Sequence, residues 1–84
     1  MSKLIKLPNG PYIDASEITK IGEPWEDNRH SNVWVNVWAY TITYFDEENV
    51  IRHHTVILNQ MFVKNEEQAS VEIAQFVDKV NENR

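Results

Sequence analysis

The sequence predicts an α+β fold: a curved antiparallel β-sheet of four to five strands, arranged as a meander, with one C-terminal α-helix packed across it. Three observations predict it. Residues 33–45 are almost all β-branched or aromatic and alternate with a period of two. A second strand pattern, 50–58, follows after four polar residues. Residues 65–81 carry apolar side chains at helical spacing. With 84 residues, the chain is expected to form a single domain over 1–84.

Short strands are predicted before the central one. Residues 3–14 resemble a small hairpin, because the Pro8-Asn9-Gly10-Pro11 segment is a strong turn signal between two extended runs. A turn at 14–17 is expected to lead into a strand at about 17–22. The polar segment 22–32 is expected to be one long loop, where binding residues often concentrate.

The four polar residues 46–49 predict a hairpin between the two long strands, with Asn49 suited to a left-handed conformation. We expect Phe45 to pair with Val50, which places Tyr44 opposite Ile51 and Ile42 opposite His53. A straight strand over 33–45 would span roughly 43 Å, more than the roughly 30 Å diameter of such a domain. A bend or bulge is therefore expected near Asn36 or Ala39.

Asn65 is the predicted N-cap of the helix, with Gln68 three residues later as its capping-box partner. Residues 59–64 either extend the preceding strand or cross over to the helix. The apolar stripe comprises Ala69, Ile73, Phe76, Val77 and Val80, and Val71 and Ala74 are expected to widen it. We expect this stripe to cover the small aliphatic residues at the base of the hairpin, behind the aromatic side chains.

The opening residues also resemble a known family. Ile5, Leu7, Asn9, Gly10 and Ile13, followed by Ile18, Ile21, further strands and a C-terminal helix, are similar in layout to small flagellar FlbD-type proteins. The resemblance covers about the first 20 residues and the order of elements. It implies an arrangement of elements, and no functional residue is transferred with it.

Composition excludes several classes of function. Thirteen acidic and eight basic residues give a net charge of −5, which disfavours nucleic-acid binding through phosphates. With no cysteine and no His-x-His spacing, we expect no metal site, and with two glycines we expect no phosphate-binding loop and no cofactor. Without a signal peptide or an apolar run of 18 residues, we expect a cytoplasmic protein that does not enter membranes.

Two groups of residues are candidates for binding. The first is the aromatic face of the central hairpin, formed by Trp34, Asn36, Trp38, Tyr40, Tyr44 and His53. It is either the hydrophobic core, a contact face for a protein, or a platform on which bases, sugars or a peptide stack. The second is Trp25 with Glu23, Glu26 and Asp27 around it. Trp25 either packs back onto the core or contacts a partner, and the acidic residues suit a basic partner.

The leading interpretation is a non-catalytic protein-interaction module, such as a small bacterial or phage accessory or inhibitor protein that acts by binding a partner protein. A second copy of the chain is one candidate partner, through a strand edge or the aromatic face. The alternative is a small-ligand or single-stranded nucleic-acid binder that uses the aromatic face. A catalytic site built on His53, Tyr40 and Tyr44 is disfavoured, because no carboxylate is expected beside the histidine.

Overall fold

The computed structural model describes residues 3–27, 37–59 and 61–84. Its α+β architecture confirms the predicted fold class. The strands are β1 (Leu4–Lys6), β2 (Tyr12–Asp14), β3 (Ile18–Ile21), β4 (Trp25–Asp27), β5 (Val37–Phe45) and β6 (Ile51–Ile57), and the helix is α1 (Glu66–Glu82). A single 3₁₀ turn, Ala15–Glu17, links β2 to β3 as predicted. The strands form two antiparallel sheets, a small β1–β2 sheet and a main sheet of the other four.

The main sheet is a meander whose first strand is interrupted. β3 and β4 both pair with β5 on the same side, β3 along its C-terminal half and β4 along residues 37–39, and β6 pairs on the other side. The expectation of an unbroken loop from residue 22 was therefore wrong over Trp25–Asp27, which is strand. The break falls at Gly22–Pro24, where Gly22 still donates to the Thr41 carbonyl at 2.8 Å before the chain leaves the ladder.

The register of β5 with β6 differs by one residue from the prediction. Phe45 pairs with Ile51 rather than Val50, and Tyr40 pairs with Val56. The turn explains the difference: Asn49 N–H donates to the Asp46 carbonyl at 2.9 Å, and Asp46 N–H donates to the Val50 carbonyl at 3.0 Å. Asn49 has a φ of 63°, as predicted, which closes a three-residue loop instead of a four-residue one.

Of the bend or bulge expected near Ala39, the bulge is absent from β5, because this strand pairs without interruption from Val37 to Phe45 with its neighbours. The register shift lies instead on β3, between Ile18 and Lys20. The other expected position, Asn36, lies outside the described residues.

The one-residue change in register decides where α1 packs. It places Val56 beside Tyr40 and Ile42 on one face of the sheet. These three side chains form the apolar surface against which the buried residues of α1 pack. Phe76 of α1 packs on Tyr40, with ring centroids 6.4 Å apart and planes tilted by 53°. The prediction that the helix covers the small aliphatic residues at the base of the hairpin was right for Val56 and Leu58, which pack in the same core as Phe76. It was wrong for Val37 and Ala39, which lie on the opposite face of the sheet.

The helix itself follows the predicted stripe closely. Its buried residues are Ala69, Ile73, Phe76 and Val80, while Val71 (52% exposed) and Ala74 face solvent and do not widen the stripe as expected. Asn65 caps the helix by accepting from Gln68 N–H at 2.9 Å, and Gln68 accepts from Lys64 N–H at 2.7 Å rather than from Asn65. The described helix is not long and apolar enough to cross a bilayer.

The β1–β2 hairpin completes the cover on the helix side of the main sheet. Its turn has Pro8 followed by Asn9 at a φ of 55°, and Ile5 and Leu7 are buried in the same core as Tyr40. The turn is fastened to β6 because His54 Nε2 donates to the Pro8 carbonyl at 2.7 Å. One face of the main sheet is thus covered by α1 and the hairpin.

Candidate functional site

The other face of the main sheet, turned away from α1, is called the open face here. Its side chains come from alternate residues of each strand: Lys20, Trp25, Val37, Ala39, Thr41, Thr43, Phe45, Ile51, His53, Thr55 and Ile57. Val37 and Ala39, at the β4 end, are buried. Along β6 the face is exposed, with Ile51 at 56% and Ile57 at 38%. The face is therefore a mixed surface, polar at its centre and apolar towards both ends.

A groove of about 350 Å³ lies in the open face, and we call it the Trp25 groove. Its lining is Lys20, Gly22, Glu23, Trp25, Thr41, Thr43 and His53. The break at Gly22–Pro24 produces it: the chain leaves the ladder after β3 and returns at Trp25, which leaves a gap beside Thr41. A Cβ at Gly22 would lie 3.3 Å from the Thr41 carbonyl oxygen, so the close approach of the two strands favours glycine there.

The groove offers groups for recognition rather than an acid–base pair. It combines an indole, an imidazole, two hydroxyls, an ammonium and a carboxylate. His53 Nδ1 is hydrogen-bonded to Thr43 Oγ1 at 3.1 Å, so its partner is a hydroxyl and not the carboxylate that would orient a catalytic histidine. Among the described residues, His, Asp and Glu side chains form no group of three or more that would hold a metal ion.

The structure brings together three of the residues that the sequence singled out. Glu23, Trp25 and His53 line the same groove, although the sequence placed the first two in a loop and His53 on the aromatic face. Trp34 and Asn36 lie outside the described residues. Asp27 pairs with Val37 through the backbone of β4.

The remaining candidates lie on the covered side of the sheet. Trp38, Tyr40 and Tyr44 alternate with the open-face residues of β5, and Glu26 pairs with Trp38 from β4. Tyr40 is only 2% exposed, so it belongs to the core under α1 and is not available for stacking. Burial raises the pKa of its hydroxyl to about 12, with a further contribution from the Glu72 carboxylate. Because the sheet separates Tyr40 and Tyr44 from His53, the three residues of the catalytic alternative do not meet.

A second groove, of about 320 Å³, lies between the small sheet and the tip of the β5–β6 hairpin. It has exposed Leu4 and Tyr12 on its walls, and four acidic residues, Asp14, Glu17, Asp46 and Glu47. Two of these carboxylates serve the chain itself. Asp14 accepts from Ser16 N–H at 2.9 Å, and Asp46 accepts from Arg52 Nε at 2.7 Å, which holds the Asp46 pKa below its usual value. Turn structure therefore accounts for half of this acidic cluster.

The groove residues that the sequence analysis did not single out are Lys20, Gly22, Thr41 and Thr43. They meet because β3 pairs with β5 across about 20 residues of chain, and local patterns do not report which distant strands pair. The alternation of β5 did place Thr41 and Thr43 on one side. Which residues of β3 and β6 lie beside Thr41 and Thr43 is known only from the three-dimensional structure.

Comparisons of the chain with protein-family models, with curated proteins and with solved structures find no match.

Proposed function

We propose that the chain is a non-catalytic protein-interaction module that binds a partner protein through its open face. The observation that supports this most directly is the exposed sheet surface that contains the Trp25 groove. Interfaces concentrate their binding energy in a few large side chains, Trp above all, surrounded by polar residues that exclude water. Trp25, half-buried at one end of the groove, has that setting, with His53, Lys20 and Glu23 around it.

The shape of the surface favours a protein over a small molecule. Ligand pockets bury most of their ligand in an enclosed, mostly apolar cavity. The Trp25 groove is instead a shallow part of a broad face that continues along β6 to Ile51 and Ile57, both exposed. A partner that lies across β6 would reach the groove and these two side chains together.

The alternative, a small-ligand or single-stranded nucleic-acid binder, cannot use Tyr40 for stacking because Tyr40 is buried under α1. If a nucleic acid bound in the groove, Trp25 would be the side chain on which a base stacks, and Lys20 would be the cation that contacts its phosphates. Binding of that kind weakens steeply with salt, whereas apolar protein contacts do not. The net charge of −5 also favours a neutral or basic protein as the partner. An accessory or inhibitor role in the cytoplasm completes the proposal, and the cysteine-free composition is compatible with a reducing compartment.

The test is site-specific photo-crosslinking in cells of the source organism. A photoreactive amino acid replaces Thr55, which is exposed on the open face, and in a matched variant it replaces Ser70, which is exposed on the helix. We expect an adduct between the 9.9 kDa chain and a different protein from position 55 and not from position 70. Equal adducts from both positions, or none from position 55, would refute the proposal. An adduct of two copies has twice the chain mass and is scored separately.

A further inference from the structure

The two edges of the main sheet are built differently. The β3–β4 edge is irregular: its register shifts between Ile18 and Lys20, it breaks at Gly22–Pro24, and the Arg84 guanidinium donates to the Ile18 carbonyl at 2.7 Å. Such features block further strand pairing. The β6 edge has none of them. It contains no Gly or Pro, pairs regularly with β5 throughout, and within the described part of the chain has no strand on its outer side.

The hydrogen bonds at the two ends of the β5–β6 ladder show which backbone groups of β6 point outward. Asp46 N–H donates to the Val50 carbonyl, and Leu58 N–H donates to the Trp38 carbonyl. Bonded and non-bonded pairs alternate in an antiparallel ladder, so the even-numbered residues of β6 bond to β5. The odd-numbered residues, Ile51, His53, Thr55 and Ile57, direct their N–H and C=O groups towards the free edge.

This edge is complementary to itself. If a second copy lies antiparallel about a two-fold axis at His54, Ile51 pairs with Ile57 of the other copy, and His53 pairs with Thr55. All four outward-pointing residues then pair in both copies, which makes about eight inter-strand hydrogen bonds. Ile51 and Ile57, at 56% and 38% exposure, cover each other on the open face at both ends of the contact. Two other registers also pair the outward N–H and C=O groups. An axis at His53 places Ile51 opposite Thr55, and an axis at Thr55 places Ile57 opposite His53. Both leave one of the two isoleucines without a partner in β6 of the other copy.

We propose that the β6 edge joins two copies of the chain into one continuous sheet, with the axis at His54. The open faces of the two copies then form a single surface. A strand-to-strand contact of seven residues is small beside a standard interface, so the association is reversible and depends on concentration.

The first experiment uses the absence of cysteine from the chain. Single variants His53→Cys, His54→Cys and Thr55→Cys are oxidised in purified form, with Ser70→Cys on the exposed helix surface as the control for random collisions. Residues that face each other as a non-bonded antiparallel pair have Cα atoms about 4.5 Å apart, within the range of a disulfide. With the axis at His54, residue 53 of one copy and residue 53 of the other do not face each other. They are separated by the spacing between the strands and by a further two residues along the strand, roughly 6.6 Å, and the same holds for residue 55. This separation is too large for a disulfide.

We therefore expect covalent dimer from His54→Cys well above the Ser70→Cys background, and close to background from the other two variants. A maximum at position 53 or 55 would overturn the His54 axis. Background levels at all three positions would overturn the interface.

Because His54→Cys also removes the bond to Pro8, a second measurement uses the unmodified chain. Amide hydrogen exchange followed by NMR over a concentration series should show the His53 and Thr55 amides becoming protected as concentration rises. The His54 and Val56 amides, already bonded to β5, should be protected throughout. If the exchange of the His53 and Thr55 amides does not depend on concentration, the interface is refuted. Both experiments use the chain alone, so they can fail while the proposed partner protein still crosslinks at position 55.

Discussion

The packing of α1 makes a quantitative prediction from two valines in the same helix. Val80 is 2% exposed and belongs to the core, whereas Val71 is 52% exposed on the opposite side of the helix. The substitutions Val80→Ala and Val71→Ala therefore remove the same atoms from the same kind of structure. They differ only in what surrounds the side chain.

The expected difference follows from burial. Removal of two methyl groups from the core costs about 1.6 kcal/mol in transfer free energy, at about 0.8 kcal/mol per group. The cavity left behind adds to this, and the higher helix propensity of alanine returns a few tenths of a kcal/mol. We expect Val80→Ala to lower the free energy of unfolding by about 2 kcal/mol. At Val71 the propensity gain offsets most of the smaller transfer loss, so the net change should stay within about 0.5 kcal/mol.

Urea unfolding followed by circular dichroism at the helix band measures both changes, and thermal unfolding checks them. For a domain of this size 1 kcal/mol corresponds to roughly 4–8 °C in Tm, so Val80→Ala should lower Tm by about 8–16 °C and Val71→Ala by no more than about 4 °C. An unchanged m-value would show that the unfolded reference is the same for the two variants. If Val71→Ala costs as much as Val80→Ala, the helix packs through a different side and the core described above is incorrect.

Asn49 has a φ of 63°, so Asn49→Ala should lower the free energy of unfolding by about 1 kcal/mol, while Asn49→Gly should leave it nearly unchanged in the same urea titration. The raised pKa of Tyr40 means that the folded chain holds a proton that the unfolded chain releases between pH 10 and about 12. Stability should therefore fall with pH across that window, and Tyr40→Phe should reduce this dependence; an identical slope in the two proteins would exclude the assignment. The Arg52 side chain is the largest cause of the lowered Asp46 pKa, so NMR titration of Arg52→Gln should show that pKa rising towards its ordinary value.

The fold class was predictable because local signals agreed with tertiary structure. Asn65 and the stripe through Val80 define the helix by capping and periodicity alone, and α1 begins and ends within a residue of the expected bounds. The Pro8-Asn9 turn likewise predicted the β1–β2 hairpin, since a proline followed by a residue that accepts positive φ favours a tight turn.

The register of β5 with β6 was not predictable by the same means. Val50 was expected to pair with Phe45, but it pairs with Asp46, whose N–H donates to the Val50 carbonyl and whose side chain accepts the Val50 N–H, both at 3.0 Å. The turn therefore begins one residue later than the sequence suggested. A shift of one residue moves every partner on β6 to the other face. That single difference exchanged His53 and His54 between the two faces. It is also why the sequence placed the helix on the wrong side of the sheet.

The order of elements has a consequence for synthesis of the chain. The helix that covers Tyr40 and Ile42 follows all six described strands in the sequence, so it leaves the ribosome after the entire sheet. Until α1 emerges, the face of the nascent sheet that contains Tyr40 has only the β1–β2 hairpin to cover it, and the β6 edge is unpaired at the same time. Surfaces of this kind attract other unfinished chains and chaperones. The interval between translation of β6 and translation of α1 is therefore the stage at which a growing chain is most exposed to aggregation.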